Sequence, residues 1–174
     1  PLCTIKMEQS LGILLLYVLV ILEIITIAVK KQEKIPWKEI IMNLNSGHVF
    51  LWFGRGIEVL GYTWLFQHLS FGVVILLPVW LQWVLMFVLW DFCFYWLHRI
   101  HHKIPFLWSV HVVHHEGESF NLSLGIRNSW YSSFTSLPFF IPLALAGFTP
   151  VQFLIIGSVH YFMQFYNHNH FNYS

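Results

Sequence analysis

The chain has 174 residues, of which 57% are hydrophobic and only 10% are charged. Soluble domains average about 45–50% apolar and about 25% charged residues, so this composition disfavours a soluble globule, a disordered chain and a coiled coil. The net charge of +1 gives no electrostatic footprint for nucleic acid. Two cysteines, Cys3 and Cys93, are too few for a disulfide scaffold. The 11 histidines are unusual in so apolar a chain, and the starting hypothesis is a membrane protein rich in histidine.

Apolar runs follow one another along the chain and predict membrane spans. The first run, residues 11–29, carries Glu23 as its single charge and is close to the ~20 residues that a helix needs to cross a bilayer. An amphipathic helix over residues 36–44 is expected at the membrane interface. Further runs cover residues 47–66, 73–97, 130–147 and 151–166. The sequence therefore predicts an all-α, multi-span membrane bundle that forms a single domain over residues 1–174.

The few charged residues predict an ion pair and an orientation. Arg55 and Glu58 lie three residues apart in the second run, so they share a helix face and are expected to pair. By the positive-inside rule, the basic stretches after the first and third runs are cytoplasmic. Their residues are Lys30, Lys31, Lys34, Lys38, Arg99 and Lys103. This orientation places nearly all the histidines, and any metal site they form, on the cytoplasmic face of an integral membrane protein.

Six of the 11 histidines fall within residues 98–115 and form two boxes. The first box reads HRIHH from His98 to His102, and the second reads HVVHH from His111 to His115. Positions i, i+3 and i+4 share a helix face, so the two boxes are expected to bring six imidazoles into one small volume. Packed without a ligand, each would need a hydrogen-bond partner in an apolar setting. The spacing therefore predicts a metal site, and the number of imidazoles favours two metal ions.

Carboxylates flank the boxes. Asp91 lies seven residues before His98, about two helical turns along the same face. A carboxylate beneath ligating histidines commonly orients an imidazole through its second nitrogen, which makes Asp91 the candidate supporting residue. Glu116 and Glu118 follow the second box and are either partners of its histidines or solvated surface residues.

The residues of this region resemble the fatty acid hydroxylase/sterol desaturase superfamily. Residues 91–102 are similar to its first histidine box, and residues 111–115 are similar to its HxxHH box. Residues 121–129 and 164–168 resemble the branch of sterol desaturase-like and alkylglycerol monooxygenase-like proteins. The likeness covers about residues 36–174, with the histidine-box region at 91–129.

The resemblance implies a membrane di-iron oxidoreductase that uses O2 to hydroxylate or desaturate a lipid substrate. Its motifs imply five ligands, with three further histidines as candidates: His98, His102, His111, His114 and His115, then His101, His168 and His170. The family's third HxxHH box is not found within residues 1–174, so the chain is expected to continue with one and to bind metal incompletely without it. No motif for a nicotinamide or flavin is evident, so electrons are expected from a partner protein or a soluble reductant.

Two other classes stay open. A membrane metal-binding or metal-transport protein without redox catalysis would place ligands along a path near mid-membrane, whereas these histidines cluster at one face. A haem-binding cytochrome would use single axial histidines on facing helices rather than boxes.

Overall fold

The computed structural model describes residues 17–26, 28–29, 34–49, 53–117 and 121–167. Helices and turns account for these ranges and no strand occurs in them, which confirms the predicted all-α class. A short 3₁₀ segment, Val73–Leu76, precedes the fourth helix. In chain order the α-helices are α1 Tyr17–Thr26, α2 Trp37–Val49, α3 Arg55–Leu69, α4 Val79–His101, α5 Pro105–His115, α6 Leu122–Ile126, α7 Ser132–Ala146 and α8 Pro150–Asn167.

The main core lies between α3, α4, α7 and α8. Met86 and Phe140 are buried there, with 0% and 2% of their surface exposed. The Tyr62 ring stacks on Phe153 with 4.1 Å between ring centroids, and the Tyr62 hydroxyl donates to the carbonyl of Phe148 at 3.0 Å. These contacts hold α3 against α8 and the turn that precedes it.

The predicted Arg55–Glu58 ion pair is confirmed and lies in this core. Arg55 Nη1 donates to Glu58 Oε2 at 2.5 Å, and Ser136 Oγ donates to Glu58 Oε1 at 2.7 Å. The Arg55 guanidinium also lies over the Phe153 ring, 5.1 Å from its centroid. The pair therefore ties α3 to both α7 and α8.

A smaller core joins α1, α2, α6 and α8. Val20, Ile40 and Phe165 are buried in it. Glu23 of α1 is also buried, and its Oε2 accepts the backbone N–H of Leu122 at 2.7 Å. The single charge of the first apolar run thus holds the start of α6.

Two turns meet at the end of the bundle that lies away from the histidine boxes. Gly72, before the 3₁₀ segment, and Gly147, after α7, have φ angles of +66° and +105°. A Cβ on Gly147 would lie 2.9 Å from the Cα of Gly72, so the two backbones touch where a side chain has no room. Phe71 N–H donates to the Leu145 carbonyl at 2.8 Å beside this contact. The turn at Gly147 separates the two helices that cover the predicted runs over residues 130–147 and 151–166.

Helix α4, with 23 residues, is long and apolar enough to cross a membrane, and it alone meets that description among the described residues. Residues spaced four apart form an exposed apolar stripe along it: Trp80, Val84, Val88, Phe92 and Trp96. Helices α1 and α7 are apolar but shorter, so the multi-span arrangement stays a prediction.

Helix boundaries differ from the predicted runs in two places. The run over residues 47–66 contains the end of α2, at Val49, and the start of α3, at Arg55, and residues 50–52 lie outside the described part of the chain. The run over residues 73–97 is divided, since Pro78 precedes α4 and the 3₁₀ segment lies before it. Hydropathy measured over a window does not resolve the break at Pro78 between two apolar segments.

Candidate metal centre

The two histidine boxes lie on consecutive helices joined by a tight turn. Helix α4 ends at His101, His102 caps it, and α5 begins at Pro105. Ile104 is extended, with φ −98° and ψ 118°, as the residue before a proline commonly is. The fixed φ of Pro105 suits the first turn of a helix, so the sequence between the boxes ends one helix and starts the next. This reversal brings the first box against the second.

Four imidazoles, two from each box, converge at this junction. One nitrogen from each ring lies within 4.8 Å of the others in His98, His102, His111 and His115, which we call the four-histidine cluster. The Nε2 atoms of His98 and His102 are 3.1 Å apart, and those of His111 and His115 are 3.2 Å apart. Across the boxes, the ring centroids of His98 and His111 are separated by 4.7 Å.

Burial and the neighbouring imidazoles favour the neutral form of the His111 ring. Burial lowers the pKa of His111 to about 3, and the neighbouring imidazoles of the boxes add to this effect. The neutral ring is the form that presents a lone pair to a metal ion. His98 and His111 are half-buried while His102 and His115 are exposed, so the cluster is open on one side.

The donor set of the cluster fits a metal ion. Imidazole–metal bonds of about 2.0–2.1 Å place four nitrogens in a tetrahedral site about 3.4 Å apart. Nitrogens already within 4.8 Å of one another approach this arrangement before any ion is bound. Imidazole ligands suit zinc, copper, iron and nickel, so the geometry supports a metal site without choosing the element.

His101 lies outside the four-histidine cluster. Its Nδ1 is 2.7 Å from the Leu97 carbonyl, and its Nε2 is 3.0 Å from the Thr135 hydroxyl. Because a carbonyl can only accept, Nδ1 must donate, and Nε2 of a neutral ring then faces the Thr135 hydroxyl, which also donates to the Ser132 carbonyl at 3.1 Å. Both nitrogens are thus engaged by the protein, and His101 faces α7. The expectation that all six imidazoles enter one site is met by four of them.

His114 borders the cluster. Its Nδ1 lies 2.9 Å from the backbone carbonyl of Arg127, so Nδ1 donates and Nε2 carries the lone pair of the neutral ring. The His114 ring is 5.8 Å from His111 and 5.3 Å from His115, measured between centroids. Its predicted ligand role stays a prediction, as do the roles of His168 and His170, which lie outside the described residues.

Asp91 pairs with a histidine that belongs to neither box. Its Oδ1 lies 3.6 Å from Nδ1 of His160 on α8. His160 is buried, and its ring stacks on Phe87 and Trp90 at 4.7 and 4.5 Å. The expected support of a box histidine by Asp91 therefore stays a prediction.

Two glutamates follow the second box, and one of them, Glu116, lies within the described residues. Glu116 forms an ion pair with Arg127 at 3.2 Å. Glu118 lies outside the described residues.

Sequence reasoning assigned no role to three residues that contact the boxes. The Trp108 ring lies 5.1 Å from His102 and 5.6 Å from His115. Its position three residues before His111 puts it on the same helix face, which is a signal that spacing could have used. Thr135 and Arg127 approach from distant parts of the chain, and no local pattern indicates their contacts.

Comparison with known proteins identifies the family. The family model described as fatty acid hydroxylase matches residues 83–174, more than half of the chain and all of both boxes. The chain belongs to the fatty acid hydroxylase family. The match confirms the predicted superfamily.

Three relatives of this fatty acid hydroxylase chain share the name alkylglycerol monooxygenase. An alkylglycerol monooxygenase of Danio rerio is 36% identical over 91 residues, covering 52% of the chain and 20% of the relative. One of Xenopus tropicalis is 30% identical over 145 residues, covering 76% and 31%. One of Homo sapiens is 34% identical over 93 residues, covering 53% and 21%. The chain thus spans a fifth to a third of the length of these relatives, and no solved structure matches it.

Proposed function

We propose that the protein is a membrane oxidoreductase that uses O2 and two histidine-bound iron ions to hydroxylate or desaturate a lipid. The observation that carries this proposal is the four-histidine cluster, built from an HxxxH and an HxxHH motif in a fatty acid hydroxylase family chain. The relatives named alkylglycerol monooxygenase favour an alkylglycerol as the first substrate to test.

Each box contributes two of the four cluster imidazoles. Iron held there would supply the O2 chemistry that attacks an unactivated C–H bond. The four imidazoles of the cluster would bind it, and the Arg127 carbonyl holds the His114 ring beside them. Two ions need more ligands than the cluster and His114 provide. We propose that the rest come from His168, His170 or a further HxxHH box.

The position of the cluster on α4 supports a lipid substrate. A 23-residue helix is about 35 Å long, which is enough to cross the hydrocarbon layer. The exposed apolar stripe of α4 fits a lipid environment, and the cluster lies at the end of that helix. Phe106, with 73% of its surface exposed, adds an apolar side chain at the start of α5. A lipid could thus approach the metal site sideways from the bilayer.

Basic residues support a cytoplasmic location for the cluster. Arg99 and Lys103 lie beside the first box, and Lys34 and Lys38 lie at the start of α2. Under the positive-inside rule, both stretches face the cytoplasm. A cysteine in place of Lys103 should react with a membrane-impermeant thiol reagent from the cytoplasmic side alone. A cysteine in place of Gln67 should react from the opposite side, and labelling of both from one side would contradict the topology.

The test of the proposed function uses the full-length natural protein, purified from membranes. We expect bound iron, and incorporation of ¹⁸O from ¹⁸O2 into an alkylglycerol, an acyl lipid or a sterol when an electron donor is supplied. The variants His111→Ala and His115→Ala should lose both properties. His68→Ala is the matched control, because His68 lies on α3 with its Nδ1 against the Trp64 carbonyl, and it should keep both.

The same experiment separates the alternatives. Desaturation would appear as loss of two hydrogens from the lipid without ¹⁸O in the product. Bound metal without O2 consumption on any of these lipids would favour the metal-binding or metal-transport alternative. Absence of bound metal would overturn the proposal.

A further inference from the structure

Arg127 contacts the second histidine box through both its side chain and its backbone. Its Nε donates to the Val113 carbonyl at 2.6 Å, and its Nη2 lies 3.2 Å from Glu116 Oε2. Its own carbonyl accepts from His114 Nδ1 at 2.9 Å. One residue from outside the boxes thus contacts three residues within about one helical turn at the end of α5.

The carbonyl contact determines the state of the His114 ring. A neutral imidazole without a partner exchanges its proton between two nitrogens and rotates about its Cβ–Cγ bond. A hydrogen bond from Nδ1 to a carbonyl fixes both the tautomer and the ring plane, and it leaves the lone pair on Nε2. Histidines that bind metals are commonly oriented in this way.

The side chain keeps that carbonyl in place. The last four carbonyls of a helix lack an intrahelical partner, and Val113 lies among them in α5. The guanidinium satisfies the Val113 carbonyl and places a positive charge at the negative end of the helix. The Arg127 side chain is only 15% exposed, whereas that of Glu116 is 58% exposed. The hydrogen bonds of the guanidinium with less exposed groups therefore fix Arg127 more than its ion pair with Glu116 does.

A third contact ties Arg127 to the rest of the fold. Arg127 Nη1 donates to Asn43 Oδ1 at 3.2 Å, and the Asn43 amide donates to Ser123 Oγ at 2.9 Å. Asn43 and Ser123 are both fully buried. The guanidinium is therefore anchored between α2 and α5, and a lysine cannot reproduce its planar set of donors.

We infer that Arg127 is a positioning residue of the metal centre, which acts through His114 by holding that ring with its Nε2 lone pair ready for a metal ion. The inference rests on the proposed function, because it assigns His114 a metal that the family implies. It predicts that loss of the guanidinium releases His114 while the four-histidine cluster stays assembled.

The test is a double-mutant cycle in the full-length natural protein, with cobalt(II) as the probe under anaerobic conditions. Visible absorption reports both the affinity and the coordination of bound cobalt. Arg127→Ala and Arg127→Lys should each weaken cobalt binding by about 10–100-fold, as loss of a residue that supports a ligand does. His114→Ala should weaken it at least as much. The double variant Arg127→Ala with His114→Ala should bind no more weakly than His114→Ala alone.

A matched arginine separates positioning from general stability. Arg55→Lys alters an arginine that pairs with a buried carboxylate away from the boxes, so it should lower the melting temperature without changing cobalt affinity. Arg127→Lys should change cobalt affinity and the cobalt spectrum.

Three results would count against the inference. Arg127 variants that bind cobalt as tightly as the unmodified protein, or losses that add in the double variant, would overturn it alone. An unmodified protein that binds neither cobalt nor iron would overturn the proposed function as well.

Discussion

The Arg55–Glu58 pair and the four-histidine cluster lie in the same helical bundle, and they differ in what faces their polar atoms. Glu58 is 1% exposed, and its two carboxylate oxygens accept from Arg55 and Ser136. In the cluster, imidazole nitrogens face other imidazole nitrogens at 3.1 and 3.2 Å. Two neutral rings in such a pair share one hydrogen bond at most. Complementary groups therefore stabilise the fold, whereas groups of one kind gathered together indicate a binding site.

The largest effect expected from this difference is on metal binding. His111→Ala should lower metal affinity by more than the roughly 10–100-fold typical of a supporting residue, because it removes a proposed ligand. The melting temperature of the metal-free protein should change little, since crowding already disfavours His111 there. Metal titration and thermal unfolding of the same preparations test both statements. Full metal affinity in His111→Ala would contradict the assignment.

Glu58→Ala should show the opposite pattern. Leaving a buried charge without its partner costs about 3–5 kcal/mol, so the free energy of unfolding should fall by that order. Glu58→Gln should cost less, because its amide keeps an oxygen that can accept from Ser136. Denaturant unfolding in detergent measures the loss. Metal affinity of the folded fraction should be unchanged. A reduced affinity would show that the Arg55–Glu58 pair and the four-histidine cluster are energetically coupled.

His101 tests where the boundary between the two regions lies. His101→Ala should destabilise the fold by about 1–3 kcal/mol, because it removes a buried ring and its two hydrogen bonds to Leu97 and Thr135. Metal affinity should stay unchanged. Thr135→Val removes the same hydrogen bond from the other side and should give a loss that is not additive with His101→Ala. A loss of metal affinity without a loss of stability would instead indicate that His101 is a metal ligand.

A further effect is expected on the acid stability of the metal-free protein. The pKa of His111 is about 3 in the fold, against its usual value of 6.5. Between these values the unfolded chain binds the proton and the folded chain does not, so stability falls as the pH decreases from 6.5 toward 3. His111→Gln should lose less stability over this range. Melting temperatures measured across it would show no difference between the two proteins if the cluster were not crowded.

Local spacing predicted those parts of the molecule that depend on neighbouring residues. The Arg55–Glu58 pair and the gathering of histidines from both boxes follow from positions three or four apart, although four of the six expected imidazoles meet in the cluster. The face that His101 presents to Thr135 could not be predicted, since it depends on how α7 packs against α4. The contacts of Arg127 with the second box could not be predicted either, because they depend on where the fold places Asn43 of α2 and the end of α5.

A methyl group at Gly147 would clash with the second of the two turns that meet there. With its Cβ position 2.9 Å from Gly72 Cα, it would force the α3–α4 and α7–α8 hairpins apart. Helix α4 is about 35 Å long and starts beside this contact, so a small opening at one end becomes a larger swing at the other. That other end holds the first histidine box. A substitution at Gly147, which is far from any imidazole, would therefore displace the first histidine box through the rigid movement of α4.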